Sequence, residues 1–315
     1  MQFFKTFAVL ALASLAFSSC KHQEKGVIDD ATILRDNEDQ LSNVVIYDVF
    51  TPPVASRIYV YTSLAAYEAI RYSDPKSGSM TARLNGFDPM PVPQKGKSYN
   101  YTLAATRAFF TVAHKVTFSI DTLKKYEDKL YAKFRNSLDD STYARSMDFG
   151  EQVGKVILKR SAADNYRETR GKPKYLGNDG PGRWRPTPPD YMDGVEYLWG
   201  TIKPLALTSS SQFAPPAPFP FSTDKNSDCF KQNMDVYQTN KHLTKEQTDI
   251  AHFWDDNPFV IEHSGHMMFA DKKLSPAGHW MSIAKIACKQ THANAVKTAR
   301  AYALTSIALF DSFIT

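Results

Sequence analysis

Apolar and aromatic residues recur at helical spacing from Glu38 to Tyr72, EDQLSNVVIYDVFTPPVASRIYVYTSLAAYEAIRY, with one break at Pro52 and Pro53. Proline fits the first turn of a helix but not its interior, so the pattern predicts two helices joined at a tight corner. Arg57 and Glu68 are charges in this mostly apolar text, and they are assigned to helix faces that touch solvent or each other. Residues 73–97, rich in Pro, Gly and Ser, read as a loop.

A second helical block spans Tyr101 to Val116. In a third, Leu123, Tyr126, Leu130, Phe134 and Leu138 form one stripe while Lys124, Lys125, Glu127, Asp128 and Lys133 lie largely off it. Ser141 to Ala163 makes a fourth, with Tyr143, Met147, Gly150, Gly154 and Ile157 down one side, the glycines permitting close helix approach. Helix follows helix without a competing alternating pattern, which predicts an all-α bundle.

The pattern then changes. Ten of the eighteen prolines lie between Pro173 and Pro220, alongside Trp184, Tyr191, Tyr197, Trp199, Phe213, Phe219 and Phe221. Proline excludes helix and weakens sheet there, and so many large rings argue against a floppy linker. An ordered, extended arm pinned across the bundle by its aromatics is the expectation. Helical text resumes at LTKEQTDIAHFWDD (243–256), where Thr244 and Gln247 form a capping box. Ser275 and Pro276 open another helix, and a last one begins near Thr291.

Before the helices, MQFFKTFAVLALASLAFSSC carries Lys5, an apolar run from Phe7 to Phe17, then two serines and Cys20. Such a run is shorter than a membrane-spanning helix requires and reads as an export signal. Small residues followed by Cys resemble the lipobox of bacterial lipoproteins, which makes Cys20 the lipid-attachment residue; simple secretion is the alternative. The expected domains are therefore a lipoprotein-type signal peptide at 1–20, a flexible tether at 21–37, an N-terminal bundle at 38–163, the arm at 164–242 and the start of a C-terminal helical bundle at 243–315. The location implied is the bacterial cell envelope, lipid-anchored at the periplasm or outer membrane, with no contact to the membrane beyond the lipid. Net charge is +5 and diluted along the chain, so nothing reads as a nucleic-acid footprint. Cys229 and Cys288 permit one disulfide, though two free thiols are the more ordinary outcome.

Two clusters carry candidate chemistry. Asp255, Asp256, Glu262, His263 and His266, with His279 soon after, offer metal ligands if His263 and His266 share a helical face. Pro258 and Gly265 argue instead for a loop between helices. In GRWRP, Arg183 and Arg185 flank Trp184 and could clamp an oxyanion, or stack on the arm's own rings and pair with Asp179 and Asp190. No Gly-rich phosphate loop, nucleophile elbow or zincin motif occurs.

The order of DVFTPPVASRIYVYTSLAAYEAI, GRWRPTPPDY, LWGTIKPLAL, QFAPPAPF, LTKEQTDIAHFW, SPAGHW and AYALTSIALFDSFI resembles the vanadium-dependent haloperoxidase-like proteins of the type 2 phosphatidic acid phosphatase superfamily. The resemblance implies an all-helical fold in which vanadate, or the phosphate of a substrate, sits among helices. It also implies three site motifs: Lys, six residues, Arg-Pro; Pro-Ser-Gly-His; and Ser-Arg followed by His. None is complete here. Arg185-Pro186 has Asn178 in the lysine position, His263 stands where the second motif has Pro, and no His follows His292.

The resemblance thus implies the N-terminal portion of such a domain, cut within a core helix, inactive alone and holding no catalytic residue or cofactor; vanadate belongs to a complete member. The missing segment is expected to pack on 291–315, and without it Ala301 to Thr315 should lack partners and drive self-association or poor solubility. Two other readings remain at this point: a non-catalytic envelope lipoprotein binding glycan or protein through the aromatic arm, and a metal-dependent hydrolase built on the 255–279 cluster.

Overall fold

The computed structural model describes residues 29–188, 191–255, 260–264 and 267–315. Helix α1 (Asp30–Tyr47) starts where the Asp29 carboxylate accepts from Ala31 N at 3.1 Å and Thr32 N at 3.4 Å. Residues 30–37, expected in the tether, are therefore helix, and Ala31, Ile33, Leu34 and Asn37 are buried. The cap and this buried face explain the earlier start. Helix α2 (Pro52–Ile70) follows the proline corner and is the central element, buried at every position from Val54 to Ile70.

Burial all round removes the solvent-facing alternative for Arg57 and Glu68 and leaves faces that touch other parts of the fold. Arg57 donates Nε to Asp164 Oδ2 at 2.7 Å and Nη2 to Ser161 O at 2.7 Å, between the rings of Tyr61 and Tyr166. Glu68 Oε1 accepts from Ser79 Oγ, Met80 N and Thr81 N, and Oε2 from Arg71 Nε at 2.8 Å. A buried charge persists only when paired and hydrogen-bonded, and each of these fastens a non-helical segment onto α2.

Helices α3 (Tyr101–Val116), α4 (Ile120–Ser137) and α5 (Asp140–Ala162) complete the first bundle. Close approach of α3 and α5 depends on the two glycines: a Cβ on Gly150 would lie 2.2 Å from Ala104 O, and one on Gly154 2.8 Å from the Thr111 side chain. Helix α4 seats Leu123, Leu130 and Phe134, and its buried Glu127 lies 3.0 Å from His114 Nε2 and 3.6 Å from Arg107 Nη1 on α3.

After the short α6 (Tyr166–Thr169) and the arm come α7 (Asp228–Lys241) and α8 (Lys245–Phe253). The Thr244/Gln247 capping box forms as expected, whereas α7 was not anticipated, since its only local signal is the Ser227 cap. A hairpin of β1 (Val260–Ser264) and β2 (Met267–Asp271) stands where a loop was expected, registered from Val260↔Asp271 to Ser264↔Met267. Helices α9 (Pro276–Gln290) and α10 (Ala295–Ile314) then return to the core.

Among the described residues the fold is thus all-α, with one small hairpin. One core joins α1, α2, α3, α4, α5, α9 and α10 to Trp199, Ile202 and Leu205 of the arm. Helix α10 does not lack partners as expected. Its Tyr302, Ala303, Ser306, Ile307, Phe310 and Ile314 are buried, with α2, α9 and α1 packed against it; Leu304 and Ala308 face outward. Cys288 is buried and Cys229 partly so, both as free thiols.

Candidate functional site

The arm is held by charge as much as by rings. Arg160 on α5 donates Nε to Asn85 O at 2.8 Å, Nη1 to Tyr61 Oη at 3.2 Å, and Nη2 to Lys203 O and Pro204 O at 3.0 and 3.2 Å. Opposite it, the Asp311 carboxylate on α10 accepts from Leu205 N, Ala206 N and Leu207 N at 2.8, 2.7 and 3.0 Å. A cation reading carbonyls and an anion reading amides thereby clasp residues 203–207. Trp199 is buried, in edge contact with Tyr166 and Phe310. Beside the clasp, Asn85, Arg160, Lys203, Leu207 and Thr208 line an open cleft of about 440 Å³. That size suits a small ligand, but its buried cation, Arg160, is committed to protein oxygens.

The other rings of the arm do not pin it. Trp184, Tyr191, Tyr197, Phe213, Phe219 and Phe221 are exposed. Tyr175 stacks between Trp184 and Tyr197, with centroids 5.5 and 5.6 Å away.

Arg183 and Arg185 lie on a tight turn. Gly177, at φ +72°, allows Asn178 N to reach Trp184 O, and a Cβ there would sit 2.2 Å from that oxygen. Gly180 N donates to Asn178 Oδ1, and Arg183 N to Gly180 O. Both arginines are exposed, and Arg185 sits 3.8 Å from Asp179. Asn178, where the resemblance places a lysine, thus serves the turn. Asp190, the other acid considered as a partner, lies outside the described residues.

At the 255–279 cluster, Asp255 pairs with Lys273 at 3.0 Å and the His279 ring stacks on Trp254. His263 and Glu262 sit on β1, opposite Met268 and Phe269. His263 thus lies on a strand and not on a helix, and His266, Asp256 and Gly265 lie outside the described residues. Among the described residues, no group of three or more His, Cys, Asp or Glu gathers as a metal would require. Cys20 and the export signal also lie outside them, and no described helix is long and apolar enough to cross a membrane.

The residues that organise the arm, Arg160, Asp164 and Asp311, were not singled out from sequence. Asp311 carried a readable signal, being the only charge in the apolar run 301–314.

No family model matches the chain, and no curated protein does. Among solved structures, one described as the first bacterial vanadium-dependent iodoperoxidase is similar, with a TM-score of 0.82, covering 90% of this chain and 67% of that one. The helical bundle with its clasped arm is therefore a haloperoxidase-type fold. With 37% sequence identity over that extent, the chain belongs to the vanadium-dependent haloperoxidase family.

The family implies vanadate, whose charge needs converging cations. The described residues do not fit it. Arg57 and Arg160 are buried against Asp164 and backbone oxygens, while Arg183 and Arg185 are exposed on a turn.

Proposed function

We propose that these 315 residues form the scaffold portion of a haloperoxidase-type enzyme and do not catalyse by themselves. The observation that carries this reading is the pairing of a close structural match over 90% of the chain with only 67% coverage of the neighbour, in a sequence that completes none of the three oxyanion motifs. A further helical segment would supply the oxyanion-binding and acid–base residues, for halide oxidation with peroxide or for phosphomonoester hydrolysis. It would lie over the outer faces of α7 to α10. There α7 and α8 bury no residue, and Val236, Tyr237, Ile250, Phe253, Trp254, Trp280 and Leu304 are exposed. Isolated helices of this length are marginal in water, which favours such a cover.

The test assays the purified chain, with and without added vanadate, for peroxide-dependent iodide oxidation and phosphomonoester hydrolysis. Neither reaction is expected, nor saturable vanadate binding. Vanadate-dependent turnover would overturn the reading.

We also propose export and lipid attachment at Cys20, supported by the leader pattern alone. Metabolic labelling with a fatty-acid probe should mark the wild type and not Cys20→Ser; equal labelling of both would remove the anchor.

A further inference from the structure

Four helices meet at a small cavity inside the core. Helix α1 contributes Asn37 and Glu38, α2 contributes Ser63, and α10 contributes Tyr302, with Leu34 and Phe109 among the apolar walls. The centre of a water molecule has about 10 Å³ to occupy there, room for one. All four polar residues are almost wholly buried, none more than 4% exposed.

Each brings one polar atom without a protein partner: Asn37 Oδ1, Glu38 Oε1, Ser63 Oγ and Tyr302 Oη. Asn37 is oriented by its other end, where Nδ2 donates to Thr106 Oγ1 at 3.3 Å. Native interiors rarely leave one such group unmet, and four around one cavity call for a shared partner.

We propose that this cavity binds one structural water, which donates to Asn37 Oδ1 and Glu38 Oε1 and accepts from Ser63 Oγ and Tyr302 Oη, with Glu38 held as the neutral acid. Around the water the hydrogen-bond count closes: its two protons meet two acceptors and the Ser63 and Tyr302 hydroxyl protons meet its two lone pairs, with the acid proton of Glu38 on Oε2, the oxygen that does not accept from the water. Neutrality follows from the surroundings. On its own helix Glu38 has Asp39 beside it, whose carboxylate is engaged by Lys285 of α9. Tyr59 on α2 and Tyr302 on α10 are the neighbouring titratable groups, with Arg35 and Cys288 acting on Tyr302. Among the described residues, none of the ion pairs gives Glu38 a cationic partner. Burial, and then the Asp39 charge, push the Glu38 carboxyl well above the usual range.

Infrared spectroscopy of the full chain at neutral pH, with Glu38→Gln as the difference partner, reads the charge state. Oxygen-17 water relaxation dispersion counts long-lived internal waters. The wild type is expected to show the carbonyl stretch of a protonated carboxylic acid, absent from Glu38→Gln, and Glu38→Gln should retain the water. Ser63→Ala with Tyr302→Phe should lose one long-lived water while keeping the acid band. An ionised carboxylate band for Glu38, which would point to a bound monovalent cation, overturns the proposal. So does an unchanged water count in the double variant. Should that variant fail to fold, Ser63→Ala alone, which removes one of the four partners, should shorten the residence time of that water; no change would count against the site.

Discussion

Asp311 holds three successive backbone amides with one carboxylate, so its loss strands donors that the fold has already taken from water. Asp311→Ala is expected to destabilise the chain by about 3 kcal/mol, the cost of unmet buried donors, read as a lower urea midpoint at unchanged slope. Glu151 titrates the other way from Glu38. Hydrogen bonds from Lys155 and Arg107 lower its carboxyl to about 2. Its folded-state value is depressed, so its stabilisation is present above the ordinary value near 4.5 and is lost as pH falls through about 2. Glu151→Gln should flatten the acid limb of a stability–pH curve over that window. For Glu38 the folded value is raised, so the folded state keeps a proton that the unfolded chain releases. Stability should fall as pH climbs above about 4.5, and Glu38→Gln should remove that slope. A wild-type curve indifferent to either substitution would refute the corresponding assignment.

Helices differ in how firmly they are placed, and the difference is physical. Helix α2 is buried on every side, whereas α7 and α8 bury nothing. Amide hydrogen exchange should therefore be slowest along 54–70 and fast along 228–253; comparable protection in both would show that α7 and α8 are covered in the isolated chain. The α3–α5 contact depends on glycine at Gly150, where an added methyl would meet backbone rather than a yielding side chain. Gly150→Ala is expected to cost about 2 kcal/mol or more, as overpacked cores do. Helix boundaries were largely legible in the sequence wherever a proline, a cap or a stripe marked them: Pro52, the α4 stripe, Thr244 and Ser275. Helix α7 and the hairpin were not legible, because neither carries a sustained apolar period.

At the scale of the whole molecule, Ile250, Phe253 and Trp254, on and at the end of a helix with no buried face, and Trp280 on the outer side of α9 are exposed apolar surface. Sedimentation velocity should show concentration-dependent association, weakened by Phe253→Glu; a strictly monomeric chain at all concentrations would argue against an exposed docking face. Periodicity, proline placement and caps are local properties, set by 3.6-residue geometry and backbone sterics, and they determined the all-α class, the corner at Pro52, the extended arm and the order of motifs that marks the family. Only the tertiary structure decided which charges go inside and what they hold. Arg57, Glu68, Arg160 and Asp311 are paired with carboxylates or backbone groups 12 to more than 100 residues away. The Glu38 cavity likewise exists only because α1, α2, α3 and α10 converge. Burial and pairing across such distances depend on packing, which no local pattern encodes.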